Sequence, residues 1–178
     1  MPEQPPARDV AFSFHEVFAM PRSKHSGRSG KRRVIPSKNA LLPLPQARIT
    51  EISLGYHLAL AACGGVHGSS HLFNELTRAI YLTFYLGEMG YMPVALDLYR
   101  MAEAGLEAGI RRGNENGSWQ LDPSAVATLE VVLQVHDSQL ASARVGDLIK
   151  AEQRLTHFIM SGKTASPFDQ AGDGRVRR

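Results

Sequence analysis

The stretch Asp122–Leu140, "DPSAVATLEVVLQVHDSQL", decides the fold class. Asp122 followed by Pro123 is a helix start: a carboxylate at the N-cap, then a proline in the first turn, where a missing N–H costs nothing. Leu121 stands before the cap and can meet Val126 across it. Val126, Leu129, Leu133, His136 and Leu140 then recur in alternating three- and four-residue steps, the seam along which a helix packs in an antiparallel bundle. Val131, Val132 and Val135 form a second apolar strip on the same helix. One strip packs inside a bundle and the other needs a cover, so these three valines are expected to form the interface of a homodimer.

Outward from this helix, the same periodicity predicts four more. Upstream, "LLPLPQAR" leads into a helix carrying Ile49, Ile52, Tyr56, Ala59, Leu60 and Cys63, which Gly64 and Gly65 end. A second helix runs from about Ser70 to Met89. Leu72, Phe73, Leu76, Ala79, Ile80, Thr83 and Phe84 lie on one face and Leu82, Tyr85 and Leu86 widen it, so this helix is expected to be central and covered on two sides. Pro93 opens a third, with Leu98, Met101, Leu106 and Ile110, and Ala102, Gly105, Ala108 and Gly109 allow a neighbour to come close. After a break near Ser142, a fifth carries Val145, Leu148, Ile149, Leu155, Phe158 and Ile159 as far as Gly162. No segment alternates with period two over a useful length. The chain therefore reads as all-α, about five helices in an antiparallel bundle or stacked helical hairpins.

Charge divides the chain further. Residues 1–40 carry eight Lys/Arg against three acids, whereas residues 41–170 carry nine against thirteen. Residues 1–40, rich in Pro, Ser and Gly, are expected to be a disordered basic segment, residues 41–162 the helical domain, and residues 163–178 a disordered polar tail. In "RSKHSGRSGKRR" the cations Arg22, Lys24, Arg28, Lys31, Arg32 and Arg33 have no packing role. They suit nucleic-acid phosphates, met without sequence preference, or an acidic protein partner. No run is apolar enough for a membrane helix, and His15 and Glu16 interrupt the one segment resembling a signal peptide. One cysteine excludes an internal disulfide, and the expected compartment is the reducing cytoplasm.

Candidate chemistry gathers in "CGGVHGSSH", Cys63–His71. Cys63, His67 and His71 are spaced four apart and on an unbroken helix would share a face able to hold Zn²⁺, the basis of an alternative reading as a small metal-assisted enzyme. Gly64, Gly65 and Gly68 deny them that helix, and neither an HExxH nor a paired CxxC pattern accompanies them. A phosphate cradle lacks both the following Lys and the preceding strand. The simpler reading is a corner between helices in which Ser69 or Ser70 caps the second. His136 lies on the apolar seam, and Asp137, about 100° around the helix, cannot orient it, so His136 reads as a core histidine bonded to a neighbouring helix. No motif for a cofactor or a catalytic nucleophile is present.

The segments "LYRMAEAGLEAG", "SWQLD", "VHDSQLASA" and "RLTHF", spread over roughly residues 45–160, resemble a group of small helical bacterial proteins found mainly in Burkholderia-like genomes, some of them labelled Fis-family transcriptional regulators. The resemblance implies at most a regulatory role. A Fis-like protein ends in a basic helix that enters the major groove, whereas residues 144–160 set Arg144, Lys150 and Arg154 against Asp147 and Glu152. The expected function is that of a non-enzymatic regulatory or adaptor protein acting through helical protein–protein contacts, with its basic tails adding non-specific association with nucleic acid.

Overall fold

The computed structural model describes residues 38–162 and 166–172. Among them lie a short 3-10 helix (Lys38–Leu41), six α-helices and no strand: α1 (Gln46–Gly64), α2 (Ser70–Glu88), α3 (Leu96–Asn116), α4 (Pro123–Ser142), α5 (Val145–Met160) and α6 (Pro167–Gly172). The all-α class with about five principal helices is the one the periodicity dictates. The cations Arg22, Lys24, Arg28, Lys31, Arg32 and Arg33 fall outside the described residues.

α2 is the centre of the domain and packs on α1, α3, α4 and α5. Phe73, Leu76, Ala79, Ile80 and Leu86 are fully buried, and its polar residues Arg78 and Glu88 pair with α5. Ser69 caps it, with Oγ accepting from the Leu72 N–H at 3.4 Å. α3 ends on Gly117 in the left-handed conformation, which glycine adopts without strain. The small residues of α3 act as the sequence implies: a Cβ on Gly105 would stand 2.7 Å from the Ala125 Cβ of α4, and one on Gly109 would stand 2.4 Å from the Phe73 ring of α2. α5 packs chiefly on α2 and is tied to the segment before α1, where the Val145 N–H donates to the Leu42 carbonyl at 2.9 Å.

Three expectations are corrected. Val132 and Val135 are buried within the single chain, and only Val131 is exposed, at 45%. α4 has three helical neighbours, α1, α2 and α3, which between them cover its seam together with Val132 and Val135, so these two valines are core. Asp122 occupies the N-cap position of α4 but makes no capping bond; its carboxylate accepts instead from Arg112 Nη1 at 3.1 Å. The polar C-terminal segment contains α6, whose Phe168 is fully buried among Phe84, Tyr81 and Tyr99, with ring centroids 5.0–5.5 Å apart. One aromatic anchors a helix of six residues, too short to show a period.

Candidate interaction surface

The segment "CGGVHGSSH" forms the corner between α1 and α2, docked on the link between α3 and α4. The Cys63 carbonyl accepts from the Leu121 N–H at 2.8 Å, and the Gly64 carbonyl accepts from Gln120 Nε2 at 3.5 Å. A Cβ on Gly68 would stand 1.7 Å from the Trp119 carbonyl oxygen, so only glycine permits this approach. Trp119 lies over Gly113 and meets Phe73 edge to face at 5.7 Å.

That corner separates the residues a metal would need. Cys63 points into the core with no exposure, whereas His67 and His71 face solvent. Burial pushes the Cys63 thiol up, away from the thiolate that binds zinc. Among the described residues no three His, Cys, Asp or Glu side chains are placed to hold a metal ion. The Cys63, His67 and His71 cluster is therefore overturned as a site by the glycines that break the helix.

The polar side chains of the core hold helices together. Thr83 Oγ1 donates to the Ala79 carbonyl at 2.7 Å and lies 3.1 Å from His136 Nδ1, which joins α2 to α4. Gln139 Nε2 donates to the Thr83 and Tyr91 carbonyls, which fixes the loop after α2. Arg78 to Glu152 and Arg154 to Glu88 tie α2 to α5, and Tyr81 donates to Glu103 on α3. Burial and that carboxylate push the Tyr81 phenol up. Asp137 turns away from His136 and pairs with His57 of α1 at 2.9 Å, a pair that no local motif announces because the partners lie far apart in sequence.

Two surface depressions accompany these contacts. A cleft of 460 Å³ between α1 and α4 is lined by His57, Leu60, Ala61, Val126 and Glu130. A groove of 650 Å³ between α2 and α5 has Phe84, Tyr85 and Phe158 along its floor, and Arg154 stacks over Tyr85 at 4.4 Å while paired with Glu88.

The feature the sequence reading missed is the outer side of α1. Its inner side, with Ile49, Tyr56, Ala59, Leu60 and Cys63, is core. A second apolar row, Leu54, Leu58 and Ala61, faces outward, with Leu54 and Leu58 54% and 60% exposed. Ala61 also lines the cleft, so the row and the cleft are continuous. The signal was present in the sequence, since α1 carries apolar residues all round, but the pattern alone does not say which side finds a neighbour.

Comparison with known proteins finds no matching family model, no similar curated protein and no similar solved structure. No helix among the described residues is long and apolar enough to cross a membrane.

Proposed function

We propose that this is a non-enzymatic regulatory or adaptor protein of the cytoplasm, acting through helix-to-helix contacts, whose basic N-terminal run adds sequence-independent contact with nucleic acid. The observation that carries this reading is the outward row of α1. Two leucines more than half exposed, one turn apart and continuous with an apolar cleft, are a surface suited to another helix. The ion pairs of the domain support it, because four of the seven among the described residues join different elements and so serve the architecture.

The nucleic-acid part rests on charge. The helical domain is net acidic and repels phosphate, so affinity belongs to Arg22, Lys24, Arg28, Lys31, Arg32 and Arg33. Such binding is weak, strongly salt-dependent and indifferent to sequence. The test is a photo-crosslinking residue at position 58 of the full-length chain in growing cells, with position 107 on α3 as an exposed control. A discrete protein adduct at 58 and none at 107 is expected. No adduct at 58, or the same products at both positions, sinks the helix-contact reading. In parallel, full-length protein should bind duplex DNA at low salt, and replacing the six cations by Gln should remove that binding. Equal affinity in the substituted protein would overturn the tail assignment.

A further inference from the structure

We propose that the outer face of α1 pairs with the same face of a second copy, the two helices running antiparallel about a two-fold axis at the level of Tyr56. The proposal rests on the reading of α1 as a contact surface and names its occupant. The outward positions Glu51, Leu54, Leu58 and Ala61 of α1 follow one another in three-, four- and three-residue steps. That spacing is the seam a second helix fills, and it reads the same in both directions about residue 56. A two-fold antiparallel pairing therefore sets every seam position against a seam position: Leu54 against Leu58 and Glu51 against Ala61.

Size and charge choose this orientation. The N-terminal end of the seam carries the Arg48–Glu51 ion pair, exposed on both sides, while the C-terminal end is small and neutral, with Ala61 and Ala62. Antiparallel pairing lays the long charged side chains of one copy over the small end of the other and puts the two large leucines together at the middle. Parallel pairing would face Glu51 with Glu51 and Arg48 with Arg48, and would leave a gap where Ala61 meets Ala61. Gly55, beside Leu54, has open space where a Cβ would stand, so a neighbouring backbone can come close there. The His57–Asp137 pair lies at the edge of the row and supplies a polar rim.

The experiment uses the full chain. Sedimentation at tens of micromolar should show a dimer, and Leu54→Glu with Leu58→Glu should give a monomer with unchanged helical circular dichroism. The dissociation constant should rise by roughly thirtyfold or more per leucine, as for buried anchors of an interface. Orientation is read from disulfides. A Leu54→Cys chain mixed with a Leu58→Cys chain of different mass should oxidise mainly to the mixed dimer; the native Cys63, without exposure, does not compete. A monomeric unmodified chain, or like-with-like disulfides in excess, overturns the pairing. A monomer that still gives a photo-adduct with another protein at position 58 refutes the self-pairing alone and leaves the adaptor reading standing.

Discussion

His136 is the side chain whose environment makes the sharpest demand. Because the Thr83 hydroxyl donates to the Ala79 carbonyl, it accepts from His136, so the ring carries its proton on Nδ1. Nε2 is left buried without a partner, and the ring lies edge to face with Tyr56 at 5.5 Å. A second proton at Nε2 would be a charge in the core. Burial accordingly pushes the imidazole down from its ordinary 6.5 to about 4. The sign follows from linkage. Above pH 6.5 the ring is neutral folded or unfolded; between 6.5 and 4 the unfolded chain takes a proton that the folded chain refuses, so stability falls with pH. The full loss is about 3 kcal/mol and levels off below pH 4. Asp147, held below the usual carboxylate range by Lys150 and Tyr91, titrates lower and contributes only in more acid solution. Urea unfolding at pH 7.0, 5.5 and 4.5 should show this decline in the native protein and a flatter profile in His136→Gln. Equal slopes for the two proteins would refute the assignment.

α1 and α4 show what helical periodicity reveals and what it leaves open. Both carry apolar residues on two sides, and the sequence marks both as helices with nearly correct ends. It does not say which second side is covered, because that depends on how many neighbours each helix has. α4 has three and α1 two, chiefly α2 and α4. Val132 and Val135 of α4 are therefore core, whereas the leucine row of α1 is surface, the reverse of what α4 alone suggests. Long helices, the central place of α2, the corner at Cys63–His71 and a serine cap on α2, at Ser69 or Ser70, were legible because each depends on local spacing or backbone chemistry. The His57–Asp137 pair and α6 were not, since the first joins distant residues and the second shows only Phe168 in a polar stretch. Phe168 is fully buried against Phe84, Tyr81 and Tyr99. Phe168→Ala should cost about 3–5 kcal/mol, read from thermal or urea unfolding. A cost under about 1 kcal/mol would mean that α6 is not part of the core.

The two apolar strips make opposite demands on the domain as a whole. A folded domain of this size stands only about 5–15 kcal/mol above its unfolded chain. A carboxylate placed without a partner among apolar side chains costs several kcal/mol after relaxation. Val132 has no exposure and Val135 only 8%, and both face the helices that surround α4. Val132→Glu with Val135→Glu therefore sets two unpaired acids into the junction of α4 with its neighbours, at a combined cost comparable to the whole stability. The variant should lose most of its helical circular dichroism and its cooperative unfolding transition at neutral pH. The same two charges on α1, at Leu54 and Leu58, enter solvent and should leave both intact. The contrast separates core from contact surface with identical chemistry on two helices. A Val132→Glu, Val135→Glu chain that stays helical, unfolds cooperatively and sediments as a smaller species than the native protein would return the interface to α4 and refute the assignment of these valines to the core.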